Sequence, residues 1–166
     1  STWETVGLVA GGVLIAAVIA GALFAIPVRA HHSFAIFDGE VTKVFTGVVT
    51  RVNPDANHLQ IFFAPMNEQR KNVERGTDGR PILWAVEMTG SAQAAQSGIS
   101  VSTFPPGTIF SVALHPARNG EHAGTRGQGG GPMFKCPEKT PPAAGKHCDS
   151  VAGHTRFGGG VLPAPR

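Results

Sequence analysis

The chain has 166 residues, with 14 Lys and Arg against 11 Asp and Glu and a net charge of +3 at pH 7. That length leaves one domain of about 100 residues once a hydrophobic lead and a tail are set aside, and it excludes two full domains. So small a charge reads as solubilising, and without Lys/Arg clusters interleaved with aromatics no nucleic-acid groove is expected.

Val6 to Val28 carries no charge, and about 20 apolar residues suffice to cross a bilayer as a helix. Val28-Arg29-Ala30 offers short residues to a signal peptidase. The apolar run nonetheless exceeds the usual h-region of about 7–15 residues, and Ser1-Thr2-Trp3-Glu4-Thr5 lacks a basic n-region. A retained single transmembrane helix over residues 1–30 is therefore expected, with Trp3 at one interface and Pro27-Val28-Arg29 ending it at the other. Gly7 and Gly11 form one small-residue pair, and Gly12, Ala16 and Ala20 continue at steps of four. Such a face lets helices approach closely in lipid, so an integral membrane protein is the expected partner. Arg29 alone is a thin positive-inside signal. The cysteines and the cleavage-like site place the body outside, as a periplasmic domain on the inner membrane.

Residues 31–123 read as a β domain. Val41 to Val52 is rich in β-branched residues and alternates imperfectly, with Gly47 a bulge or close-approach point. Asn53-Pro54-Asp55 supplies a turn, and Leu59 to Phe63 returns as a second strand. Pro65 to Pro81 is a long loop or hairpin tip whose charges, Arg70 among them, form a solvated face. Ile82 to Met88 is a third strand, with Trp84 as a core anchor. Ser91 to Ser97 is a short helix, capped by Ser91 and closed by Gly98 in the left-handed conformation. Thr108 to His115 is the fourth strand. Three strands, a helix and a strand point to a mainly β fold: a small antiparallel barrel of the oligonucleotide/oligosaccharide-binding type, with the helix plugging one end.

Residues 124–166 are Gly- and Pro-rich and are expected to be irregular and extended. Cys136 and Cys148 should form a disulfide in an exported chain, stabilising the tail by about 2–4 kcal/mol. If ordered, such a tail is expected to lie against another subunit.

Several blocks resemble a known bacterial family. They are Ala30-His31-His32-Ser33-Phe34-Ala35, Thr46-Gly47-Val48-Val49-Thr50-Arg51-Val52-Asn53-Pro54, Trp84-Ala85-Val86-Glu87-Met88, Pro106-Gly107-Thr108 and His115-Pro116-Ala117-Arg118-Asn119-Gly120. Together they resemble the domain of unknown function 6152, over roughly residues 30 to 125. The resemblance implies an exported, barrel-like domain and brings no activity. The chain departs from the family at Asp55-Ala56-Asn57-His58, in the length of the Pro65–Pro81 segment and in its tail.

Chemistry would have to come from the seven histidines. Cleavage before His31 would expose an amine and an imidazole suited to Cu(II). With the lead intact, what remains is a histidine-only site for copper or another transition metal, drawn from His31, His32, His58 and His115. Cys136, His147, Cys148 and His154 superficially match a zinc donor set, but a disulfide is the stronger reading. No nucleophile motif, phosphate loop or carboxylate pair stands at diagnostic spacing, so no catalytic residue is assigned and no cofactor is expected. The leading expectation is a non-catalytic, membrane-anchored periplasmic accessory subunit that stabilises or positions a larger membrane complex, such as a redox enzyme, through its barrel and tail. The alternative is a histidine-based metal-binding or copper-delivery protein.

Overall fold

A computed structural model describes residues 35–127 and 130–164. The predicted membrane helix, its face of Gly7, Gly11, Gly12, Ala16 and Ala20, and the His31-His32 pair lie outside the described residues. Among the described residues no helix is long and apolar enough to cross a membrane.

The elements are β1 (Lys43–Pro54), β2 (Leu59–Pro65), β3 (Trp84–Glu87), α1 (Ser91–Gln96), β4 (Ile109–Pro116), β5 (Ala123–Thr125), β6 (Met133–Lys135), a 3-10 turn (Cys148–Ser150) and β7 (Thr155–Phe157). The strand order is β1-β2-β3-β5-β4-β6-β7, and β1 also pairs with β4. The first five strands thereby close a barrel, while β6 and β7 extend its sheet outward from β4. The pairing is not antiparallel throughout: β3 and β5 run parallel. Strand β5 leaves no mark in the sequence, since three residues carry too little alternation to register.

The alternation in β1 is interrupted between Val49 and Arg51, where its register on β2 shifts. Such a bulge carries one extra residue and resets which face follows it. Phe45 and Val49 therefore face the main core before the bulge, and Val52 faces it afterwards. The bulge falls at Thr50 and not at Gly47. Gly47 is the close-approach point, since a Cβ there would lie 2.6 Å from the Phe63 ring and 2.9 Å from the Ala64 carbonyl oxygen.

Phe63, Phe104 and Phe110 are fully buried in the main core. Phe63 and Phe110 meet edge to face at 5.2 Å, an arrangement favoured by the ring quadrupoles. Trp84 anchors the main core as expected, 4.6 Å from Phe45. The tail supplies Met133 and Phe157 to this same core.

Two local expectations fail for identifiable reasons. Pro54 ends β1 instead of turning the chain; the turn is made by Asp55, whose Oδ1 accepts from the Asn57 and His58 amides. Ser91 does not cap α1, because its hydroxyl donates to the Asp55 carbonyl and Gly90 holds the cap position. Gly98 closes the helix with φ 80°, as its sequence position implies.

The tail is more regular than its composition suggests. It adds β6, the 3-10 turn and β7, and the Cys136–Cys148 disulfide forms. A second cluster, made of Ala113, Phe134, Cys136, Cys148 and Leu162, packs on the outer face of β4. The tail thus lies against its own barrel, which is why β4 is buried on both faces.

Candidate functional site

A groove of about 710 Å3 opens between the Pro65–Pro81 segment and the tail. Val44, Phe45 and Met66 give it an apolar floor, Glu40, Glu68, Glu74 and Arg70 give it a charged rim, and the His147 imidazole adds a polar group. The isolated bridges Met66–Val73 and Arg75–Pro81 fold the segment into an irregular hairpin.

Arg70 departs from the solvated face expected for it. Its Nε donates to the Lys146 carbonyl at 2.9 Å, and its Nη1 donates to Met66 and Asn67 carbonyls at 3.3 and 3.0 Å. The Gly145 amide returns a bond to the Glu68 carbonyl at 2.8 Å. Hairpin and tail are therefore stitched together across the groove. Burial lowers the Arg70 pKa, with Glu68 and Glu74 acting in the opposite sense.

Beneath the groove runs a chain of hydroxyls. The Cys148 amide donates to Ser111 Oγ at 2.8 Å, Ser111 Oγ lies 2.7 Å from Thr46 Oγ1, and Thr46 Oγ1 lies 2.7 Å from His147 Nδ1. One direction satisfies every member: Cys148 donates to Ser111, Ser111 to Thr46, and Thr46 to an unprotonated Nδ1. The reverse would leave the fully buried Ser111 hydroxyl proton without an acceptor, which is costly. The His147 pKa is correspondingly lowered, first by burial and then by Arg70, with Asp149 opposing.

Thr46 beside His147 has the outline of a nucleophile and its base, but the site is not built for attack. Thr46 is 2% exposed, and its oxygen is engaged on both sides. The chain is a polar staple fixing the tail to β1 and β4. Spacing could not reveal it, because Thr46 and His147 are 101 residues apart.

The histidines disperse. His58 Nδ1 stands 3.4 Å from Glu87 Oε1, while His115 Nδ1 is 2.8 Å from the Val41 carbonyl. His122 stacks on Trp84 at 4.9 Å, and His154 Nδ1 is 2.7 Å from the Val151 carbonyl. Among the described residues no group of three or more His, Cys, Asp or Glu stands together to hold a metal. The zinc set is replaced by the disulfide, since paired sulfurs do not ligate as thiolates.

A family model described as "Family of unknown function (DUF6152)" matches residues 18–126, about two-thirds of the chain. The match reaches earlier than the resemblance read from the sequence and ends at the same place, just after β5. No curated protein matches the chain. No solved structure matches it either.

Proposed function

The chain belongs to the family of unknown function DUF6152, and we propose for it the role of a non-catalytic accessory subunit. In this reading the lead holds it in the inner membrane as a single span, the domain stands in the periplasm, and barrel and tail together position a larger membrane complex. The observation that carries the proposal is the tail. Fixing a Gly- and Pro-rich chain costs about 1–2 kcal/mol of backbone entropy per residue, and its own apolar cluster is small. A disulfide, two added strands and the hydroxyl chain hold it nonetheless. Its last turn leaves Val161 77% exposed. A tail so held serves to present a fixed surface, and the Thr46 hydroxyl beside His147 at the groove is buried and engaged on both sides.

The strand order, the β1–β4 closure and a helix between β3 and β4 support reading the barrel as an oligonucleotide/oligosaccharide-binding type, here used as a scaffold. The disulfide supports an oxidising compartment. Gly7, Gly11, Gly12, Ala16 and Ala20 supply a face for an integral membrane partner.

Purification from native membranes in mild detergent tests this role. The chain should elute with an integral membrane partner, and Gly11→Leu with Ala16→Leu should release it. Elution of the natural chain as a lone monomer would contradict the proposal. Stoichiometric copper in the purified chain would favour the metal-delivery alternative instead.

A further inference from the structure

We propose that a second pocket, of about 190 Å3 between α1 and the Arg126 loop, binds a short-chain carboxylate on the Arg126 guanidinium. This pocket shares no residue with the groove, and the inference does not depend on the accessory-subunit role.

Arg126 is 6% exposed. Its Nε and Nη2 donate to the Gly131 carbonyl at 3.0 and 2.5 Å, and Nη2 also donates to the Phe157 carbonyl at 3.2 Å. Carbonyl dipoles orient the group but do not neutralise it. Among the described residues the ion pairs are His58–Glu87 and Arg118–Asp38, and Arg126 belongs to neither. A buried charge without a counter-charge is unfavourable, and burial alone brings the Arg126 pKa down to about 10. An anion in the adjoining pocket would supply the missing charge.

The surroundings keep the guanidinium close to that pocket. Gly158 has φ 77°, and a Cβ there would lie 2.5 Å from Arg126 Nη2 and would also collide with the Gly130 carbonyl. The absence of a side chain at 158 is what lets the arginine occupy its position. Nη1 has no hydrogen-bond partner among the described residues, which leaves a donor for a ligand oxygen. The opposite walls are mixed: Met88, Ala94 and Ile99 are apolar, while Thr89, Gln93 and Ser97 carry polar side chains. A guanidinium fork beside apolar walls fits a carboxylate bearing a short alkyl chain better than a phosphate, which would set polar oxygens against Met88 and Ile99.

Calorimetric titration of the purified full chain with sodium butyrate, at fixed ionic strength and with phosphate and butylammonium as comparators, tests the site. Saturable one-to-one binding of butyrate alone is expected. Gln93→Glu, at an exposed helix position where either residue is a good helix former, should weaken it by about tenfold or more through like-charge repulsion. Arg126→Gln should abolish it; should that variant fail to fold, the Gln93 variant still decides. Equal affinity in Gln93→Glu would overturn the proposal. So would butyrate heats no larger than those of phosphate or butylammonium.

Discussion

The barrel and the tail are held by different physics. The barrel is an aromatic and aliphatic core, with Phe63, Phe104, Phe110, Ile61 and Val86 all withdrawn from water. The tail buries few apolar side chains of its own and relies on a covalent link, short added strands and hydroxyl-to-imidazole bonding. The border between the two also marks the end of the family match at Arg126. The stapled tail lies beyond that match, as an extension of the barrel. The extension is not passive, since Met133 and Phe157 complete the barrel core and His147 helps form the groove.

The contrast can be broken most severely from the core side. Phe110→Ala should cost about 3–5 kcal/mol and weaken barrel and tail together, because Phe110 is fully buried and its strand pairs with β6. Denaturant unfolding followed by Trp84 fluorescence would show one shifted transition. The next largest effect belongs to the staple. Replacing Cys136 and Cys148 by Ala should cost about 2–4 kcal/mol. Amide exchange should then accelerate over Met133–Phe157 while β1, β2 and β3 keep their protection. Equal loss of protection in the barrel would show that the two regions are not separable.

Thr46→Val removes the middle of the hydroxyl chain and leaves Ser111 and the imidazole without their shared partner. A loss of about 1–3 kcal/mol is expected, again expressed first in tail exchange. The smallest effect concerns pH. The folded-state His147 pKa lies below the ordinary value of 6.5, so the unfolded chain binds the proton more readily. Its contribution is present in full above about pH 6.5 and is lost as pH falls through the folded value. Tail exchange rates, corrected for intrinsic chemistry, should therefore rise between pH 7.5 and 5.5, and His147→Gln should flatten that dependence.

Much of the barrel could be read from residue order. The β-branched runs, Gly98 after the helix and the alternation around Trp84 and Val86 each located an element to within two residues, because local propensity and tertiary packing agree there. Three kinds of feature escaped. Strands β5, β6 and β7 are three residues each, too short for periodicity to show. The outer face of β4 reads as solvent-facing until the tail is laid over it. The Thr46–Ser111–His147 chain and the buried Arg126 are long-range contacts between common residue types, with no spacing to betray them. Arg70 and Ser91 mislead for the same reason: each makes a tertiary bond to a backbone carbonyl that overrides its usual role. The disulfide was legible because two cysteines, far from any C-x-x-C spacing, have few alternatives to pairing with each other.

In the proposed role the disulfide-held tail presents a surface to a membrane partner. The most direct test compares the natural chain with the Cys136→Ala, Cys148→Ala variant, both purified from native membranes in mild detergent after barrel integrity has been verified by amide exchange. The variant should keep its protected barrel but recover markedly less partner. Equal partner recovery from both chains would contradict it.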